Sequence, residues 1–127
     1  MSTIKIPEGD QTVMPYLILH QASEFLSFTQ KTFNAVEKMK HLNDDGSIMH
    51  AEVQIGGSTI MVGNSSEQYP AQTAGLYVHV ENADESYKAA LENGATSVLV
   101  PRDQGYGRSG GVLDPCGNTW WITSALA

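Results

Sequence analysis

Apolar positions along this chain fall into short runs separated by turn chemistry. The first run, Val13 to His20, carries Tyr16, Leu17, Ile18 and Leu19 almost without interruption and predicts a strand. From about Ser23 the spacing becomes helical, with Phe25, Leu26, Phe28 and Phe33 toward a core, Ser23 as the expected N-cap and an end near Asn34-Ala35. Val36 to Met39 can form a short strand, and Asn43-Asp44-Asp45-Gly46 is a turn-forming loop. Ile48 to Ile55 and Ser58 to Val62 then read as a hairpin closed by Gly56-Gly57.

The second half repeats that order. Leu76 to Val80 predicts a strand. Asn82 with Glu85 three positions on makes a capping-box start for a helix. Tyr87, Ala90 and Leu91 would line one face of that helix, and Asn93-Gly94 would close it. Thr96 to Val100 predicts a strand stopped by Pro101, and Arg102 to Ser109 a loop. A last hairpin, Gly110 to Thr123, turns at Asp114-Pro115-Cys116-Gly117, where proline presets φ and glycine supplies the positive φ such a turn demands.

The two halves superpose at an offset of about 60 residues: Asn34-Ala35 falls on Gly94-Ala95, and the turn Gly56-Gly57 on Cys116-Gly117. The unit is βαβββ, met twice, in an α+β chain. Module one spans about 11–63, a polar linker 64–73, and module two about 74–125, all one domain. Residues 1–10 look like a mobile or strand-swapping arm.

Paired modules of this length, together with Pro15-Tyr16-Leu17, His50-Ala51-Glu52 ahead of Ile55-Gly56-Gly57, and Leu76-Tyr77-Val78-His79-Val80, carry a resemblance. Asn93-Gly94-Ala95, Gly105-Tyr106-Gly107-Arg108 and Asp114-Pro115-x-Gly117 add to it. The chain resembles the glyoxalase/bleomycin-resistance/dioxygenase (vicinal oxygen chelate) superfamily, with the nearest likeness to its PhnB-like branch. The resemblance implies a curved, cup-like mixed sheet with the helices outside. In members of known activity it also implies a divalent metal in the cup, held by one His or Glu from the first and last strand of each module. Counted onto this chain, those positions fall at about Met14, Met61, Gly75 and Trp121. None is a usual ligand for a hard or borderline divalent ion, nor is any immediate neighbour. No metal and no cofactor are therefore expected.

Strand parity turns other residues into the cup. Tyr16, Ile18 and His20 share a face with Met14, and Tyr77 and His79 share one with Gly75. Pairing across Gly56-Gly57 sets Glu52 opposite Met61, with His50 and Gln54 on the same side. By the same counting Val112 would sit beside Trp121, flanked by Thr119 and Thr123. Tyr106 and Arg108 lie on a glycine-rich loop of the kind that covers binding sites. The expected ligand-binding set is Tyr16, Glu52, Tyr77, His79, Tyr106, Arg108 and Trp121; the candidate catalytic set is Glu52, His50 and His79.

Charge and cysteine content narrow the partners. Seven basic against 14 acidic side chains, a net charge of −7, argue against nucleic acid, which demands clustered Lys and Arg. No run is apolar enough for a membrane span, and no basic-then-apolar leader opens the chain. The single cysteine, Cys116, excludes an internal disulfide and fits a reducing cytoplasm; it reads as a bystander at a hairpin tip. Three functions fit these residues. The first is a cytoplasmic, metal-free homodimer binding a small organic molecule among aromatic rings. The second is a lyase or isomerase using Glu52 and a histidine for acid–base work or as relocated metal ligands. The third is a structural or regulatory dimer whose cup is filled by side chains.

Overall fold

The computed structural model describes residues 3–126. Module one comprises β1 (Tyr16–Leu19), α1 (Ala22–Phe33), β2 (Val36–Leu42), β3 (Ile48–Ile55) and β4 (Ser58–Asn64). Module two comprises β5 (Gly75–His79), α2 (Ala83–Glu92), β6 (Thr96–Gln104), β7 (Gly107–Leu113) and β8 (Thr119–Ser124). The predicted βαβββ repeat is present, but as two separate open sheets rather than one. Their orders are β1-β4-β3-β2 and β5-β8-β7-β6. In each, the first strand runs parallel to the last and the other pairs are antiparallel.

Local chemistry explains most boundaries. Asn34 ends α1 at a left-handed φ of 58°, and Gly94 follows α2 at 101°, so the two halves stop their helices in the same way. Asn82 caps α2 by accepting from the Glu85 N–H at 3.1 Å, as predicted. Ser23 is not a cap: α1 begins one residue earlier, with Gln21 at the N-cap and no side-chain bond there. Leu91, expected to face the core, is exposed; α2 buries Ala90, as expected, together with Ala83. Strand β1 is shorter than the apolar run at Val13, and β2 longer than expected, because pairing to β3 carries it to Leu42.

The largest departure lies in module two. Pro101 does not stop β6, which continues to Gln104. Proline lacks the N–H that a central strand needs, but β6 is an edge strand and its pairing to β7 shifts register between Leu99 and Arg102. Pro101 is buried over Gly110, where a Cβ would lie 2.9 Å from the proline Cγ. The expected Arg102–Ser109 loop is thus a hairpin, with only Gly105-Tyr106 between paired Gln104 and Gly107.

One face of each sheet is covered by helix and forms a common core. Helix α1 belongs to module one, yet it packs Phe25, Phe28 and Phe33 around Trp120 of β8, with ring centroids 4.8–6.4 Å apart. Leu17, Leu19, Val53 and Val62 from one sheet and Val112 and Ile122 from the other complete it. Trp120 Nε1 donates to Asp114 Oδ2 at 2.8 Å, which ties this core to the β7–β8 turn. The linker is pinned too: Ile18 and Gln72 exchange both backbone hydrogen bonds along the outer edge of β1.

Residues 1 and 2 of the expected arm lie outside the described residues, but Glu8 to Gln11 dock onto module one. The Gly9 carbonyl accepts from Thr59 Oγ1 at 2.6 Å and Gln54 Nε2 at 3.2 Å, and Lys38 Nζ donates to the Glu8 carbonyl and to Asp10 Oδ1. The Gln11 side-chain amide both donates to and accepts from the Thr59 backbone, extending the sheet where β1 has not yet begun.

Candidate functional site

The face of each sheet opposite the helices is open, and alternation decides what stands on it. In module one, Leu17 and Leu19 enter the core, so Tyr16 and Ile18 point the other way. Tyr16 pairs with Met61, and Met61 with Glu52, so these three form one cross-strand row, as the parity argument expects. His50 occupies the next position along. The Tyr16 hydroxyl lies 3.2 Å from His50 Nδ1, and His50 Nε2 lies 3.1 Å from Glu52 Oε2. One tautomer satisfies both contacts: Nε2–H donates to the carboxylate and Nδ1 accepts the phenolic proton. Lys38 Nζ stands 4.0 Å from Glu52 Oε1, and the docked arm covers the neighbouring part of the sheet.

Chemically, a phenol, an imidazole and a carboxylate linked in this order have the make-up of a proton-transfer chain, in which the carboxylate orients the histidine as it does in hydrolytic triads. Sequence reasoning missed Lys38. It sits at a register shift between Glu37 and Met39, where an extra residue breaks alternation, and strand parity cannot foresee such a bulge.

In module two the open face is aromatic. Gly75, Tyr77 and His79 of β5 pair with Thr119, Trp121 and Thr123 of β8, so Tyr77 and Trp121 are direct neighbours. Val112 is not beside Trp121, contrary to the count from a two-residue turn. The five-residue turn Asp114–Asn118 pairs Val112 with Trp120 and puts Gly111 beside Trp121. That glycine matters: a Cβ on it would meet the Trp121 ring at 2.7 and 2.9 Å, so the indole lies against bare backbone. The His79 ring stands edge-on to Tyr77, 5.2 Å between centroids.

The structure does not gather all the expected site residues. His50 and Glu52 are joined with Tyr16, while His79, Tyr77 and Trp121 stand on the other sheet. Arg108 alternates onto the helix face of β7, opposite Ser124, and its guanidinium is taken by Asp84 at 2.6 Å and Asp103 at 3.0 Å. Arg108 holds the Asp84 carboxyl below its usual range, and the two aspartates raise the guanidinium further. Tyr106 stands at the exposed tip of the β6–β7 hairpin. Tyr16, Tyr77 and Trp121 remain 48, 51 and 37 % exposed, so the single chain leaves its rings uncovered.

The residues at the family's metal positions do not fit a hard divalent ion. Met14 precedes β1, Met61 and Trp121 carry no hard donor, and Gly75 carries no side chain. Among the described residues no three of His, Cys, Asp and Glu converge, so His50 and Glu52 form a pair without a third ligand. Relocated metal ligands therefore find no support.

Cys116 lies against α1, with Sγ 3.7 Å from the Gln21 carbonyl. Burial first, then the negative charges of Asp114 and Glu24, disfavour the thiolate and push its pKa up to about 12. Alkylation by iodoacetamide at pH 8 should therefore run at least about a hundredfold slower than that of a free thiol and accelerate only toward pH 12. A rate within threefold of glutathione's would show an open thiol.

Among the described residues no helix is long and apolar enough to cross a membrane. The sequence is 31% identical over 123 residues to the uncharacterised protein Mb0911c of Mycobacterium bovis, covering 87% of this chain and 81% of that one. The fold matches TnmS3, an antibiotic binding protein from Streptomyces sp. CB03234, with a TM-score of 0.72 at 15% identity over 99% of this chain and 100% of that one. It also matches the PhnB protein of Bacillus cereus, with a TM-score of 0.71 at 17% identity over 91% and 100% of the two chains. Residues 18–122, nearly all of both sheets and both helices, match one family model, and with it this chain belongs to the Glyoxalase/Bleomycin resistance protein/Dioxygenase superfamily.

Proposed function

We propose that this chain binds a small organic molecule by ring stacking, without a metal, as a cytoplasmic homodimer. The observation that carries this reading is the neighbouring pair Tyr77 and Trp121, both exposed, with the indole seated over Gly111. Exposed rings grouped on a sheet face are a ligand surface in waiting, since solvated aromatic area gains by stacking. Tyr16, Glu52 and His79 complete the proposed site, and Arg108, already neutralised by two aspartates, does not take part. Apposition of module one from one copy with module two from another would cover both open faces.

A second reading, proton transfer by a lyase or isomerase, is favoured by one observation, the hydrogen-bonded row Tyr16–His50–Glu52. Here Tyr16 would take or give a proton at the substrate while His50 holds its counterpart.

Sedimentation velocity and a thermal-shift screen against aromatic metabolites and antibiotics test the first reading. A dimer is expected, with a stabilising ligand whose affinity falls at least about 30-fold in Trp121→Ala, as for a central aromatic anchor. Because Trp121 is outside the core, that variant should keep its fold. A monomer with no hit sinks the binding reading, and steady consumption of a hit by wild type but not by Tyr16→Phe favours the enzyme.

A further inference from the structure

A cavity adjoining the proposed site lies outside the gap between the sheets. It is a hollow of about 700 Å³ at the end of module one's open face, walled by the β2–β3 loop, β1, β4 and the start of the linker. None of its walls comes from module two. Its apolar surface is Tyr16, Ile18, Met49 and Tyr69, and three of these (Tyr16, Met49 and Tyr69) are about half exposed or more. Its only charged lining group is Asp45; no Lys, Arg or His lines it.

Each wall is held in place. Met49 is the extra residue at the second register shift of the β2–β3 pair, which turns it out of the alternation of β3. Gly63 keeps the floor low, because a Cβ there would lie 2.8 Å from the Met49 carbonyl. Tyr69 is fixed at the rim by a turn in which its N–H donates to Ser66 Oγ and its carbonyl accepts from the Ser66 N–H. The Tyr16 hydroxyl is engaged by His50, which leaves the ring as its ligand-facing part.

Asp45 is held as an anion. Its Oδ1 accepts from both the Ser47 hydroxyl at 2.6 Å and the Ser47 N–H at 2.9 Å, and these bonds keep the carboxyl below its usual range. Among the described residues its Oδ2 accepts no hydrogen bond. Two tyrosine rings, a polarisable thioether and one unneutralised carboxylate lining a roomy hollow are the chemistry that recognises a soft cation.

We propose that this cavity binds a small organic cation, a quaternary ammonium or charged nitrogen base, with Tyr16 and Tyr69 supplying π faces and Asp45 the counter-charge. An anion would meet repulsion from Asp45 and from a chain of net charge −7. The site shares Tyr16 with the proposed stacking surface but does not rest on it, since Tyr77 and Trp121 take no part.

The test is an amide NMR titration of the whole chain with choline, against its uncharged carbon isostere 3,3-dimethylbutan-1-ol. Saturable shifts are expected in 43–49 and 63–69, with the isostere at least about tenfold weaker. Tyr69→Leu should weaken choline about two- to fivefold, the range of an exposed cation–π contact. Asp45→Asn, which keeps the acceptor for Ser47 and hence the loop, should weaken it by at least as much. Equal binding of the isostere, no saturable shift in these segments, or full affinity in both variants would overturn the proposal. Trp121→Ala separates the two readings: it should leave choline binding here intact while removing aromatic ligands from module two.

Discussion

Asp114→Ala should destabilise the fold by about 3–5 kcal/mol in urea denaturation, out of the total of roughly 5–15 kcal/mol that a domain of this kind holds. The carboxylate is buried at the tip of β7 and organises everything around the last turn. Its Oδ1 accepts from the Cys116 and Asn118 N–H groups at 2.8 and 2.9 Å. Its Oδ2 accepts from Asn118 Nδ2 at 3.0 Å and Trp120 Nε1 at 2.8 Å. Alanine would orphan the Trp120 and Asn118 donors in a place water cannot reach, and each such donor costs about 1–3 kcal/mol. The damage spreads, because Asn118 Oδ1 in turn accepts from the Ala74 N–H and so sets the start of β5. Asp114→Asn is not a rescue: it has one carbonyl oxygen for two sets of donors and turns an NH2 toward one of them. It should fall between wild type and alanine. A loss below about 1 kcal/mol for alanine would mean that the turn is held by other forces.

Trp120→Ala should cost a similar amount, about 3–5 kcal/mol, through the cavity left among Phe25, Phe28 and Phe33. The consequence goes beyond magnitude. These phenylalanines are on the helix of module one and the indole is on a strand of module two, so the core that each half needs is shared. Module one expressed alone as residues 1–70 should therefore fail to fold, and the whole chain should unfold in one transition by circular dichroism and fluorescence together. Separate transitions would contradict a shared core. Trp120 and Asp114 also touch, so Asp114→Ala and Trp120→Ala should not add; a coupling of about 0.5–3 kcal/mol is expected from a double-mutant cycle.

Two adjacent tryptophans thus divide the labour. Trp120 and Trp121 point to opposite faces of β8, one into the core and one into the open. Alternation along β8 makes that split, and the pairing with β7 decides which of the two enters the core. The Gly56-Gly57 hairpin, the Asn82 cap, the helix ends at Asn34 and Gly94, and the Met61–Glu52 pair were legible in the chain itself. All of these depend on contacts within a few residues or on a fixed two-residue period, which the chain carries locally.

What escaped has a different physical origin. Pro101 was read as a strand breaker by its missing N–H, but only sheet order reveals that β6 is an edge where the loss is harmless. The extra residues at the β2–β3 register shifts carry Lys38 toward Glu52 and Met49 into the cavity wall, and no period-two rule survives a bulge. The five-residue Asp114–Asn118 turn moved Trp121 from Val112 to Gly111.

By itself, then, the sequence determined the duplicated βαβββ order, the family, the unsuitability of the expected metal positions and the faces of most strands, because periodicity and turn residues act locally. Only the tertiary structure decided which of those faces meet. It sent Arg108 to Asp84 and Asp103, laid the arm over Thr59, joined Tyr16 to His50 and Glu52, and kept Tyr77 and Trp121 on a separate sheet. Such partners are far apart along the chain, and their contacts follow from how one shared core around Trp120 sets two sheets in space.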